Sequence, residues 1–158
     1  MQAATAGRPI KAPPTLLALA ELHRAVVELT TLPLAAPILR MAPGGDGHPV
    51  LVMPGFTASD VSTGILRRYL TSLGYDTYAW ELGRNLGPKA IGREGEKLVE
   101  RLKAIHKATG KKVSLVGWSL GGVMARKLSR QAPGAVRQVI TLGSPFTGDP
   151  RATTVWRL

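Results

Sequence analysis

A serine between two glycines follows an apolar run in the second half of the chain. The segment reads Gly117-Trp-Ser-Leu-Gly121, comes directly after the apolar residues 113–116 and precedes a helix-compatible stretch. A G-x-S-x-G pattern between a strand and a helix can hold a serine on a sharp turn with its hydroxyl oxygen exposed. Gly117 and Gly121 remove side chains that would crowd such a turn. The pattern therefore predicts that Ser119 is an attacking nucleophile.

The surroundings of Ser119 decide between this interpretation and a simpler one. A glycine-rich turn that merely tolerates a serine would show the same five letters, so the pattern alone is only moderately specific. A helix that begins beside Ser119, however, directs its first N–H groups at the site and favours developing negative charge there. This context favours a nucleophilic Ser119 over a turn that merely tolerates a serine.

A second turn rich in proline and glycine is expected to supply a hydrogen-bond donor. Residues 50–52 form a short apolar run, and Met53-Pro-Gly-Phe-Thr57 follows it directly. Acyl transfer needs two N–H groups that hold the tetrahedral oxyanion. The candidates are the backbone N–H of Leu120, directly after the nucleophile, and that of Phe56 in the loop after the first strand. An ordinary strand–helix turn is the alternative for the loop.

The chain shows no histidine in the position that a serine nucleophile requires. His23, His48 and His106 all precede Ser119, and Asp149 is the one acidic residue that follows it. His48 is placed near the amino end of the first strand, whereas active sites of parallel sheets lie at the carboxyl ends. Asp149 stands in a Gly-Asp-Pro segment, which is typical of a turn. None of these residues is a strong candidate for the base or its acid.

Strand and helix patterns alternate through most of the chain and predict an α/β fold. Apolar runs predict strands, and 3.6-residue periodicity predicts helices, one of which buries Leu98, Leu102 and Ile105. The predicted strands are 50–53, 77–80, 113–116 and 136–142; the predicted helices are 15–29, 34–41, 60–73, 90–109 and 121–131. Short apolar strands alternating with helices indicate a parallel sheet covered on both faces. The break at residues 43–47 divides the chain into a partly helical extension, 1–45, and a main domain, 46–158.

Four segments together resemble a known family. Residues 49–56, 73–78, 113–122 and 139–145 are similar to α/β-hydrolases, in particular bacterial lipases and esterases, and the resemblance covers about two-thirds of the chain. It implies a partial α/β-hydrolase fold, a mostly parallel sheet flanked by helices with an N-terminal helical extension. In this family an acid and then a histidine follow the nucleophile. We therefore expect the chain to be the N-terminal portion of a longer protein that supplies both.

Composition limits the partners and the location. The net charge is +11, but the 21 basic residues are spread along the chain and aromatic content is 5%, so we expect a solvated basic surface and no nucleic-acid partner. There is no cysteine, and neither a transmembrane segment nor a clear signal peptide is recognised, so we expect a cytoplasmic protein. No metal or nucleotide motif is present, and no cofactor is expected.

These observations predict a serine hydrolase that acts on a carboxylic ester through an acyl-serine intermediate. Its partner would be a small-molecule ester or acyl substrate. The 158-residue chain itself would be inactive or weak, because it lacks the base, and the open edge of the strand at 136–142 would promote self-association. Two alternatives stay open, an acyltransferase on the same fold and a non-catalytic binding or scaffold homologue.

Overall fold

The structure is a computed structural model that describes Arg24, Glu28 and residues 30–145. Among the described residues, those up to Met41 and those from Ala42 onward belong to two separate compact units. In the first unit, residues 30–39 are helical, so the helix predicted for 34–41 exists but begins earlier. The helix predicted for 15–29 lies outside the described residues, except for Arg24 and Glu28, which form an ion pair of 2.7 Å. Within the described ranges, no helix combines the length and apolar character needed to cross a membrane.

The second unit is built on a parallel sheet of four strands, as predicted. The strands are β1 (Pro49–Met53), β2 (Asp76–Ala79), β3 (Val113–Trp118) and β4 (Val136–Leu142). Their spatial order is β2-β1-β3-β4, and every neighbouring pair is parallel. All carboxyl ends therefore lie at one edge of the sheet. Strands β2 and β4 lie at the two sides, and the self-association expected through β4 stays a prediction.

Helices follow each of the first three strands. They are α1 (Gly64–Ser72), α2 (Pro88–Ile91), α3 (Glu96–Thr109) and α4 (Leu120–Gln131), and a short 3-10 turn, Pro133–Ala135, leads into β4. The prediction of a single helix over residues 90–109 is wrong, because α2 and α3 are separate helices. Gly92 and Gly95 have φ angles of 89° and 86°, which are incompatible with a continuous right-handed helix. The chain therefore breaks between α2 and α3.

The first turn of the helix predicted for 60–73 is also absent, because Asp60 makes other contacts. Its carboxylate accepts hydrogen bonds from the backbone N–H groups of Trp80 (3.0 Å) and Glu81 (3.1 Å) at the end of β2. Residues 60–63 form turns instead, and α1 begins at Gly64. A carboxylate engaged in this way ties the segment after β1 to the end of β2.

Apolar side chains cover both faces of the two central strands, β1 and β3, whereas most residues of β4 are exposed. One face packs against α3 and α4, and the predicted stripe of Leu98, Leu102 and Ile105 is confirmed there, with each side chain 2% exposed or less. The other face carries a smaller cluster against α1 and the residues next to it, formed by Val50, Val52, Val116, Leu66, Leu70 and Tyr75. Adjacent residues of β1 alternate between the two clusters, as the two-residue period of a strand requires. The buried strands β1 and β3 thus form the centre of the sheet, and the loops at its carboxyl edge extend from them.

Candidate active site

Ser119 lies on a strained turn between β3 and α4. Its backbone has φ 51° and ψ −117°, a conformation that residues with a side chain rarely adopt. Strand β3 ends at Trp118 and α4 begins at Leu120, so a single residue reverses the chain direction. Backbone strain of this kind costs of order 1–3 kcal/mol and persists only where the surrounding packing enforces it. Ser119 is partly exposed to solvent.

The glycines on either side of Ser119 allow strand and helix to approach closely. A Cβ atom on Gly117 would lie 2.4 Å from the carbonyl carbon of Gly121, and one on Gly121 would lie 2.4 Å from the carbonyl oxygen of Met53. Both distances are far below van der Waals contact. The sharp turn at Ser119 therefore depends on the absence of side chains at these two positions.

The loop after β1 lies directly beside Ser119. Met53, the last residue of β1, pairs with Gly117 of β3. A Cβ atom on Gly55 would lie 3.4 Å from the Cβ of Ser119. The structure thus brings together the two segments that the sequence singles out, the turn 117–121 and the loop 53–57.

Two backbone N–H groups at this junction have no acceptor. Within residues 30–145, neither Phe56 nor Leu120 donates its N–H to another group. The peptide group that contains the Phe56 N–H is held by its carbonyl oxygen, on Gly55, which accepts a hydrogen bond from Ala58 (3.2 Å). In a planar trans peptide the N–H points opposite to the C=O, so this hydrogen bond fixes the direction of the Phe56 N–H. Since neither N–H has an acceptor within residues 30–145, both are available to an incoming group.

Asn85, which no sequence pattern singles out, anchors the loop after β1. It is fully buried, and its amide nitrogen donates to the carbonyl oxygen of Pro54 at 2.8 Å. Its backbone carbonyl accepts from Thr57 and its N–H donates to Ala58, both at 2.8 Å. A lone asparagine 31 residues away carries no local signal that marks it as the partner of this loop, so only the fold reveals it.

Apolar side chains lie exposed next to Ser119. Trp118 is 49% exposed and Leu142 is 41% exposed. The two residues are partners across β3 and β4, and the Leu142 carbonyl accepts the Ser119 N–H at 2.9 Å. Cross-strand partners project from the same face of a sheet, so the two side chains form an exposed apolar surface at the carboxyl ends of β3 and β4.

His48 forms a serine–histidine–aspartate chain, but at the wrong end of the sheet. Its Nδ1 contacts Asp46 Oδ1, and its Nε2 lies 2.7 Å from Ser114 Oγ. Ser114 is only 1% exposed, and it precedes Ser119 by five residues of strand, which is roughly 16 Å. We therefore interpret the set as a structural network, buried at His48 and Ser114 and exposed at Asp46, that joins the amino ends of β1 and β3.

Asp46 extends this network to the edge strand. Its second carboxylate oxygen lies 2.7 Å from Nη1 of Arg137 on β4. The hydrogen bond with His48, followed by that with Arg137, holds the pKa of Asp46 well below its usual range. The network therefore ties together three strands.

Among the described residues, the other histidine, His106, is not at Ser119 either. His106 lies near the end of α3, half-buried, with its Nδ1 2.8 Å from the carbonyl oxygen of Lys111 at the amino end of β3. His23 and Asp149 lie outside the described residues. In the part of the chain that the structure describes, the Ser119 hydroxyl has no hydrogen-bond partner.

Comparison with known proteins places these features in context. No family model matches the chain. A triacylglycerol lipase of Pseudarthrobacter phenanthrenivorans is 30% identical over 115 residues, 68% of this chain and 36% of that protein. A triacylglycerol lipase of Burkholderia plantarii is 30% identical over 115 residues, 68% of this chain and 32% of that protein. The chain thus spans about a third of the length of the curated relatives it matches.

Solved structures of lipases show the same fold. The mature lipase BlEst2 of Bacillus licheniformis gives a TM-score of 0.52 at 23% identity, with 70% of this chain and 46% of that chain covered. A monoacylglycerol lipase of Paleococcus ferrophilus gives a TM-score of 0.54 at 19% identity, with 72% of this chain and 45% of that chain covered. The predicted partial α/β-hydrolase fold, a parallel sheet flanked by helices, is confirmed.

Proposed function

We propose that the chain carries the nucleophile and the oxyanion-binding groups of a carboxylic ester hydrolase. The observation that carries this proposal is the conformation of Ser119, a non-glycine residue at φ 51° on a one-residue strand–helix turn, beside two N–H groups without acceptors. A solvent-reachable hydroxyl and paired donors at one point are what acyl transfer requires. The similarity to lipases agrees with this chemistry.

The reaction divides into two steps at Ser119. The hydroxyl oxygen attacks the ester carbonyl carbon, its proton passes to a base, and the carbonyl electron pair moves to oxygen to form a tetrahedral oxyanion. The N–H groups of Phe56 and Leu120 hold this oxyanion. The intermediate then collapses to an acyl-serine while the alcohol leaves with a proton from the protonated base, and water repeats the sequence to release the acid.

Residues 30–145 provide no histidine in hydrogen-bond contact with Ser119 that could act as the base. We propose that a histidine and its carboxylate partner come from outside residues 30–145. Losing the base costs about 10⁶ in turnover in a well-studied serine protease and leaves roughly 10³–10⁴ over water. Without that histidine, turnover at Ser119 is expected to fall by a factor of this order.

We infer the substrate class from the apolar surface at the carboxyl ends of β3 and β4, where the chain enters and leaves the region of Ser119. Trp118 and Leu142 present apolar surface there, which favours an ester with an apolar acyl chain. The names of the relatives, triacylglycerol lipases, agree with such a substrate. The same acyl-serine could transfer its acyl group to another acceptor, and a competing alcohol in the assay distinguishes transfer from hydrolysis.

The test compares ester hydrolysis by the protein as its gene encodes it with hydrolysis by Ser119→Ala. On p-nitrophenyl butyrate, the variant should lose essentially all enzymatic turnover, while Ser62→Ala, which alters an exposed hydroxyl bonded only to the Ser59 carbonyl, should match the wild type. Equal rates for wild type and Ser119→Ala would overturn the proposal. Absence of turnover in both would favour the non-catalytic scaffold.

A further inference from the structure

The carbonyl oxygen of Ser119 accepts two hydrogen bonds. One comes from the N–H of Gly122 at 3.0 Å, and the other comes from the Ser144 hydroxyl at 2.7 Å. The only other acceptor near that hydroxyl in the described residues is the Leu142 carbonyl at 3.5 Å, which already accepts the Ser119 N–H. A hydroxyl has one proton to donate, so the proton of Ser144 points at Ser119.

This hydrogen bond acts on a peptide group that matters for the proposed reaction. The carbonyl of Ser119 and the N–H of Leu120 belong to one planar trans peptide and point in opposite directions. Whatever fixes the carbonyl oxygen therefore fixes the direction of the N–H. Because Ser119 has a strained backbone, this peptide requires an external restraint to keep its orientation.

We propose that Ser144 is a positioning residue that aims the Leu120 N–H at the oxyanion. The inference rests on the proposed function, because it assigns Ser144 a role in that same site. Ser144 does not touch the reacting atoms; it acts through the Ser119–Leu120 peptide. Ser144 holds the Leu120 N–H in its direction before negative charge develops on the oxyanion, so this donor does not have to reorient during the reaction.

The packing around Ser144 supports a defined position for its hydroxyl. A Cβ atom on Gly122 would lie 2.0 Å from Ser144 Oγ, so only a glycine there leaves space for the hydroxyl. On the other side, the Arg126 guanidinium of α4 donates to the carbonyl oxygen of Pro145. The short segment after β4 is thus attached to the helix that begins at Leu120.

The experiment measures kcat and KM for p-nitrophenyl butyrate in Ser144→Ala, Ser144→Thr and Thr141→Ala, in the protein as its gene encodes it. Removal of a whole oxyanion donor costs about 10²–10³ in kcat, so a misdirected donor in Ser144→Ala should cost about 10- to 100-fold, with little change in KM. The Ser144→Thr variant keeps a hydroxyl donor and should retain most of the rate. Thr141, an exposed residue at the end of β4, is the control, and its alanine variant should have wild-type kcat.

A second readout does not depend on turnover. Amide hydrogen exchange and the NMR shift of the Leu120 N–H should change in Ser144→Ala and stay unchanged in Thr141→Ala. A Ser144→Ala variant with wild-type kcat, or with an unchanged Leu120 amide, would overturn the inference. If the wild type has no turnover that depends on Ser119, the proposed function fails, and the amide measurement alone decides whether Ser144 orients this peptide.

Discussion

The backbone of Ser119 combines a nucleophilic side chain with a conformation that suits glycine better. Its φ of 51° with ψ of −117° brings the Cβ into unfavourable contact with its own backbone. The strain is the structural cost of placing a hydroxyl on so sharp a turn. The surrounding contacts, above all those to the Ser119 carbonyl, hold the residue there.

A pair of substitutions separates this strain from the loss of the hydroxyl. Ser119→Ala and Ser119→Gly both remove the nucleophile, but only glycine removes the Cβ. We expect Ser119→Gly to be more stable than Ser119→Ala by on the order of 1 kcal/mol, because relief of strain exceeds the entropic cost of glycine. Urea unfolding of both variants measures the difference. Equal stabilities, or a less stable glycine variant, would show that the turn is not strained.

Residue-level patterns predicted part of the site and missed the rest for a physical reason. Ser119 and its flanking glycines are close in sequence, so a local motif marks them. Asn85 and Ser144 act on backbone groups 31 and 25 residues away, and neither has a local signature. Contacts of this kind exist only once the sheet has brought the loops together.

At the level of elements, the site depends on how closely α4 approaches the loop after β1. A methyl group on Gly121 would lie 2.4 Å from the Met53 carbonyl oxygen and 2.7 Å from that of Pro54. These are backbone atoms, so no flexible side chain can move aside. The first turn of the helix and the loop can be neighbours only if the helix has no side chain at this position.

Alanine at Gly121 should therefore be much more damaging than alanine at a glycine with free space. We expect Gly121→Ala to lose about 3 kcal/mol or more of unfolding free energy, or to fail to fold. Gly64→Ala, at the start of α1 where nothing lies within 4 Å, should be neutral or stabilising by up to about 1 kcal/mol. Thermal unfolding followed by circular dichroism measures both. Similar losses in the two variants would contradict the close approach.

The elements themselves were largely predictable, and their boundaries less so. Apolar runs located all four strands, and β4 has the predicted limits. The errors fall where a tertiary contact or a special backbone angle overrides periodicity. The Asp60 carboxylate binds backbone N–H groups after β2, and the helix predicted from residue 60 begins only at Gly64. Two glycines with positive φ angles divide the helix predicted for 90–109.

For the molecule as a whole, we expect the network at the amino edge of the sheet to make the free energy of unfolding depend on pH. Asp46 contacts His48 and Arg137, and both hold its pKa well below the ordinary value of 3.8. A carboxyl group with a lowered pKa in the folded state stabilises the fold above its unfolded pKa. That contribution is lost as the pH falls below about 3.8 toward the folded pKa.

Asp46→Asn should therefore flatten the acid limb of the stability curve. We expect the wild type to lose more Tm than the variant between about pH 5 and about pH 2, because the asparagine side chain has no charge to lose. Differential scanning fluorimetry across that range measures the two profiles. Parallel curves for wild type and Asp46→Asn would contradict a stabilising role for this carboxylate.

Covalent labelling tests most directly whether Ser119 is the nucleophile of an ester hydrolase. The protein as its gene encodes it is treated with a fluorophosphonate, a reagent that phosphorylates the activated serine of such enzymes, and the modified peptide is identified by mass spectrometry. We expect one adduct per chain, located on Ser119, and none in Ser119→Ala. An adduct on another residue that persists in Ser119→Ala, or no adduct in a folded wild-type protein, would contradict the assignment of Ser119 as the nucleophile.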